Sequence, residues 1–307
     1  MSTAYISHDD CALHDVGPDH PESPQRLIAI GHHLQRSGLI SQLQAHRAVS
    51  VMPEQLAMAH TPQHLSKLQK LAPKEGIIWA DDDTVLCPES LHVAALAAGA
   101  GILATNRVLN GKNTNAFCAT RPPGHHAEHD LPMGFCLYNN VAIAALHALQ
   151  HESVSRVAIL DFDVHQGNGT VDIFKDQPEA LFCSTFQHPF YPGRFNDIDR
   201  PHLVNCPLPA FADSDAFRRV IMERCLPAIE AHKPDMIFIS AGFDAHQEDP
   251  MADMRLTDED YYWVTRELVQ LANKLCNGRI VSMLEGGYNP DALARSVHSH
   301  LEALLGY

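Results

Sequence analysis

The eight cysteines, at positions 11, 87, 118, 136, 183, 206, 225 and 276, include no CxxC pair and no dense spacing. That excludes a disulfide framework and a structural zinc knot, and it fits a reducing compartment. Positive charge is scarce as well: 22 Lys and Arg stand against 37 Asp and Glu, a formal charge of -15, and no Lys/Arg-rich run supplies a local basic footprint. Direct binding to a phosphate backbone is disfavoured, whereas a cationic substrate is attracted. The opening residues MSTAYISHDD lack a charged segment followed by an apolar one, and no segment reads as approaching the roughly 18 apolar residues of a membrane span. No repeat, low-complexity tract or Gly/Ser-rich linker divides the chain. The expectation is one domain over residues 1–307, cytoplasmic and without membrane contact.

What is abundant is histidine, 21 residues of 307, which directs attention to metal or proton chemistry. Apolar runs at 115–120, 157–163, 181–185, 236–242 and 280–286 read as fully buried strands. Between them, Ser90–Leu109, Leu137–Gln150, Ser214–His232, Thr257–Cys276 and Pro290–Leu305 carry helical spacing, and Thr257 with Asp260 forms a capping-box start. Alternation of the two patterns predicts an α/β fold: a central, mainly parallel sheet flanked by helices, with ligands bound at the carboxyl ends of the strands.

The residues at those ends are chemically distinctive. RPPGHH places His125 and His126 after the first run. DFDVHQGNG places Asp161, Asp163 and His165 after the second, alternating and so sharing one face while the chain stays extended. AGFDAH contributes Asp244 and EGGY contributes Tyr288. Two carboxylates and an imidazole suit one divalent ion and leave a coordination position open. A neighbouring His can then take a proton from water while another group steadies the oxyanion, roles that His125, His126 and Tyr288 can fill. Singly, a strand-end Asp is usually a cap, and Tyr288, Phe135 and Phe190 are core aromatics by default. The combination carries the chemistry. The His32–His33 pair, inside an apparent helix, reads as having no function.

In this order RPPGHH, GFCLYNN, DFDVHQGNGT, SAGFDAH and LEGGY, preceded by HPESPQRL at 20–27, resemble the signature set of the zinc-dependent histone deacetylases and acetylpolyamine amidohydrolases. The likeness runs from about His20 to about Tyr288 and is nearer to the class II branch, which includes bacterial histone deacetylase-like amidohydrolases. It implies an arginase-deacetylase-like fold with Asp163, His165 and Asp244 as ligands of one Zn2+, or of Fe2+. It implies His126 as general base and acid, His125 as its electrostatic neighbour, Tyr288 as donor to the oxyanion, and Asp161 orienting one of the two imidazoles. Asn168 stands where other branches carry a second aspartate. A structural K+ is implied near Asp161 and Ser184, with the carbonyls of Asp163 and His165.

Gly134 and Phe135, with Tyr191 or Phe190, resemble the walls of a narrow substrate channel, and Arg26 resembles an inner-cavity arginine associated with acetate. Met251, seven residues after Asp244, stands where polyamine-selective relatives carry glutamate. That implies acyl-lysine in proteins or peptides as substrate, with a small acetylated amine as the other reading. Glu248 and Asp249 would lend the rim negative charge. A binuclear manganese hydrolase of the arginase type would need further carboxylates bridging a second metal, whereas DVHQGNG supplies Asn168 and no second Asp immediately after His165, and an inactive binding module should have lost a ligand, which this chain has not. Oligomeric state has no linear signature.

Overall fold

The computed structural model describes residues 2–307. The chain runs β1 (Thr3–Ser7), α1 (Gln25–Ser37), β2 (Gln44–Arg47), α2 (Pro53–Leu56), α3 (Pro62–Leu71), β3 (Ile78–Trp79), β4 (Val85–Leu86), α4 (Ser90–Leu109), β5 (Asn115–Cys118), α5 (Asn140–Leu149) and β6 (Val157–Asp161). It continues through α6 (Asn168–Phe174), β7 (Ala180–Gln187), β8 (Leu203–Leu208), α7 (Ser214–Val220), α8 (Leu226–His232), β9 (Met236–Ala241), α9 (Asp258–Leu275), β10 (Ile280–Leu284) and α10 (Pro290–Leu305).

An eight-stranded parallel sheet in the order β2-β1-β5-β10-β9-β6-β7-β8 forms the centre. Every residue of β5, β6, β9 and β10 is buried, which is why these strands read as unbroken apolar runs. Successive side chains go to opposite faces. In β9, Ile237 and Ile239 share one core with Tyr261 and Leu268 of α9 and Leu301 of α10. Met236 and Phe238 share the other with Val141 and Ala145 of α5 and Ala98 of α4.

Several boundaries move for physical reasons. The α5 helix starts at Asn140 because the Asn139 side chain accepts from Ala142 N at 3.0 Å, capping it three residues later than the Leu137 start expected. The pattern over 214–232 is helical throughout, but Ile221–Cys225 widens into a π-helical turn next to Pro227, which has no N–H to give. The α9 helix begins with the expected box, Asp260 accepting from Thr257 N at 2.9 Å. The expectation that no segment reaches membrane length is corrected by α4, 20 residues long with mean hydropathy 1.2 over its best window. That window is 67% buried within the protein. Its Ala- and Gly-rich surface permits close approach: a Cβ at Gly99 would collide with the backbone of residues 49–51.

The second run ends sooner than its apolar residues suggest. Strand β6 stops at Asp161, whose Oδ1 accepts from Asp163 N at 3.1 Å; Asp163 Oδ1 in turn accepts from His165 N at 2.9 Å. The carboxylates themselves bend the chain, so the three residues meet in a turn and not along an extended strand. In the sheet, β5, β10, β9 and β6 are consecutive neighbours, and their carboxyl ends deliver the four motifs to one place.

Candidate active site

Asp163, His165 and Asp244 come together from the ends of β6 and β9, all buried, each offering one donor atom within 4.8 Å of the others. His165 Nδ1 lies 3.1 Å from Asp163 Oδ1 and 3.2 Å from Asp244 Oδ2. The two carboxylates push the His165 pKa up to about 10 against a burial effect that would lower it. Asp244 Oδ1 accepts from Val164 N at 2.9 Å, but its buried Oδ2 receives no hydrogen bond. An acceptor-only carboxylate oxygen buried without a donor, beside a second carboxylate and an imidazole nitrogen, fits a divalent cation. Gly286 makes room: a Cβ there would strike both carboxylates, and its N–H donates to Asp163 Oδ2 at 2.8 Å.

The histidine pair packs against this cluster, with ring centroids 4.0 Å apart. His125 Nδ1 meets Asp161 Oδ2 at 3.0 Å, so Asp161 orients His125 and not His126. Burial would lower the His125 pKa, but Asp163 and Asp161 raise it well above the ordinary value. His126 Nδ1 meets Asn168 Oδ1 at 2.6 Å. Burial, then the neighbouring His125 and His165, hold its pKa well below the ordinary value. The two adjacent imidazoles are thus driven apart, His125 toward the cation and His126 toward the neutral base.

A cavity of about 220 Å³ opens over these groups, lined by Asp83, His126, Gly134, Phe135, His165, Phe190, Tyr191, Met251 and Tyr288. Both alternatives for the second wall line it. Phe190 stacks on His165 with centroids 5.4 Å apart, and Tyr191 meets His126 edge-on at 5.3 Å. Gly134 has φ 58°, and a Cβ there would drive into the His126 ring. Phe135 follows in the same left-handed region at φ 66°. Asp83 Oδ1 accepts from Gly134 N at 2.9 Å and Thr84 Oγ1 from Phe135 N at 3.1 Å, holding this costly conformation.

Arg26 does not line this cavity. It is 1% exposed and absent from the cavity wall; its guanidinium lies 5.0 Å from the Tyr288 ring centroid, behind the phenol. Its donors are engaged with the carbonyls of Gly287, at 2.7 Å, and Glu285 and with Glu22 Oε1 at 3.1 Å. Asp249 is no rim charge either. It is buried, accepting from Tyr288 N at 2.6 Å and Asn289 N at 3.2 Å, while Glu248 is exposed and paired with Arg295. Ser184 lies beside Asp161 in the β6–β7 register, and its buried Oγ has no partner, an oxygen surplus that suits a monovalent cation.

Sequence reasoning missed Asp83, Glu128 and Glu285. Glu285 Oε2 accepts from Gly124 N at 2.6 Å and His125 N at 3.1 Å, anchoring the histidine turn, and burial pushes its carboxyl up to about 7. The signal available was an acid ending an otherwise apolar strand. Glu128 ties Asn168 to Arg194, and follows the histidine pair by only two residues.

A family model described as histone deacetylase domain matches residues 20–304. The uncharacterized protein slr0245 of Synechocystis sp. is 40% identical over 308 residues, covering 98% of this chain and 99% of the relative. The histone deacetylase-like amidohydrolase of Pseudomonas aeruginosa is 32% identical over 311 residues, covering 94% of this chain and 82% of the relative. Among solved structures, the crystal structure of the HDA15 HD domain is similar with a TM-score of 0.93 and 32% identity, covering 99% of this chain and 88% of that one.

Proposed function

The chain belongs to the histone deacetylase family, a family of deacetylases with the arginase-deacetylase fold, and on that premise we propose that it is a zinc-dependent hydrolase of acyl-lysine in proteins or peptides. The observation that carries the proposal is the convergence of Asp163, His165 and Asp244 beneath a narrow apolar cavity that His126 and Tyr288 also line. When bound by these three side chains, the ion supplies Lewis acidity at the scissile carbonyl and makes water a nucleophile near neutral pH.

The remaining steps belong to the chain. Phe135 and Phe190 enclose the apolar stem of an extended side chain and exclude water from the amide. His126, kept neutral by its surroundings, takes the proton from water and returns it to the departing amine. The Tyr288 hydroxyl donates to the oxygen on which charge develops. His125, held by Asp161, supplies positive charge beside the base. Asp161 and Ser184, with the carbonyls of Asp163 and His165, would hold a structural K+ beneath this layer.

Met251 favours acyl-lysine, because the cavity presents an apolar side chain there and no carboxylate to greet a distant ammonium. The second reading, a small acetylated amine, draws on Asp83, the carboxylate that lines the cavity. A hydrolysis assay of zinc-loaded protein on an acetyl-lysine peptide and N8-acetylspermidine, with and without chelator, decides between them. Chelator-sensitive cleavage of the peptide supports the proposal. Preference for the polyamine overturns the substrate, and indifference to the chelator overturns the metal.

A further inference from the structure

The side-chain amide of Asn168 stands between two groups with fixed demands. One end lies 2.7 Å from Glu128 Oε1 and the other 2.6 Å from His126 Nδ1. A carboxylate offers only acceptors, so the end toward Glu128 is the NH2 group and the end toward the imidazole is the carbonyl oxygen. His126 Nδ1 must then carry the ring proton, which leaves the lone pair on Nε2. Without Glu128, the amide could turn over and donate to Nδ1, and the proton would move to the nitrogen a general base needs free.

Glu128 is itself held. Arg194 forks onto it, Nε to Oε1 at 2.7 Å and the terminal nitrogen to Oε2 at 2.9 Å. The carboxylate is buried, whereas the guanidinium is half-exposed and can be solvated if its partner is removed. The backbone around Glu128 is tied to the same helix, because His129 N donates at 2.9 Å to Asp172, one turn beyond Asn168 in α6. A second carboxylate at position 168 would face Glu128 across the same 2.7 Å with no proton between them.

We infer that Glu128 is a positioning residue which, through Asn168, sets the tautomer of His126, and that Glu128 is the reason position 168 holds an amide. This rests on the reading of His126 as general base. The carboxylate and the amide form one unit: either can be altered harmfully alone, and exchanging the two preserves the donor and acceptor toward His126, though not toward Arg194, whose Nε donates to the same Oε1 that Asn168 meets. In the exchanged pair the amide at 128 gives its NH2 to the carboxylate at 168, which accepts the Nδ1 proton as before; because that NH2 would face the Arg194 Nε–H, the exchange is made together with Arg194→Ala.

The test uses zinc-loaded full-length protein: wild type, Glu128→Ala, Asn168→Asp and the exchange Glu128→Gln/Asn168→Asp in an Arg194→Ala background. The kcat and KM are measured on an acetyl-lysine peptide, and the His126 tautomer is read from imidazole 15N spectra. Each single variant is expected to lower kcat about tenfold or more with KM within about threefold, and the exchange to recover to within about threefold of wild type. The Nδ1–H signal should fall in Glu128→Ala and persist in the exchange. Losses that multiply in the exchange, or a Glu128→Ala variant with wild-type kcat and an intact Nδ1–H signal, overturn the inference. If Glu128→Ala does not fold, the comparison of Asn168→Asp with the exchange decides alone. A wild type inactive on the peptide overturns the functional reading instead, while the spectra still decide the tautomer.

Discussion

The Asp249 carboxylate accepts the backbone N–H of Tyr288 at 2.6 Å, so a residue five positions beyond Asp244 holds the phenol that ends the Gly-Gly-Tyr turn. The same side chain accepts from Asn289 N at 3.2 Å and Met251 N at 3.0 Å, joining the cavity rim to its floor. Asp249→Ala is therefore expected to lower kcat about tenfold or more, a transition-state loss of roughly 1.4 kcal/mol, with zinc content unchanged. Steady-state kinetics with metal analysis checks it; a fall in bound zinc would assign Asp249 to the metal site instead.

Tyr288→Phe keeps the ring that packs on Arg26 and Phe135 and removes only the hydroxyl. Turnover should drop on the order of 100-fold with zinc retained, the scale of one lost oxyanion donor. Near-normal turnover would remove the hydroxyl from that role.

Asp244→Ala deletes one of two carboxylates in the cluster of three donors. Metal affinity and activity should vanish together, as the remaining carboxylate and imidazole cannot complete the site. Equilibrium dialysis against buffered zinc reads the first and the peptide assay the second.

Met251→Glu places a carboxylate in the cavity wall. The ratio of kcat/KM for N8-acetylspermidine to that for the peptide should rise by about tenfold, because a charge pair forms with the distant ammonium and none with an uncharged peptide flank. An unchanged ratio would show that the side chain at 251 does not meet the substrate.

Acid stability should report on Glu22, which is buried and paired with Arg121 at 2.5 and 2.6 Å and Arg26 at 3.1 Å. Burial alone would raise its pKa, but the two guanidiniums, Arg121 foremost, bring it down to about 2 from 4.5. The folded state therefore binds this proton more weakly than the unfolded chain. The resulting stability, on the order of 3 kcal/mol, is present above about pH 4.5 and lost as pH falls toward 2. The gap between wild type and Glu22→Gln in urea denaturation should be large at pH 7 and shrink below about pH 4.5. A gap independent of pH would contradict the pairing.

The chain's own alphabet determined the α/β plan and the site's composition. Strands β5, β6, β9 and β10 announce themselves because both faces are buried, and the metal-type and catalytic residues follow them within a few positions, where backbone direction alone puts them at one edge of the sheet. The outer strands were less legible: β2 is largely exposed and β8 is buried only at Leu203, Cys206 and Leu208, so neither carries a continuous apolar run. What only the tertiary structure decided is the partner of each polar group. Asp161 takes His125, Asn168 takes His126, and Arg26 stands behind Tyr288 with its donors on Glu285, Gly287 and Glu22, not in the cavity wall. Glu128, Asp249 and Glu285 sit beside recognisable motifs, yet each acts on a residue about 40 to 160 positions away. A hydrogen bond depends on distances of tenths of an ångström between segments that the fold brings together, and spacing along the chain does not encode them.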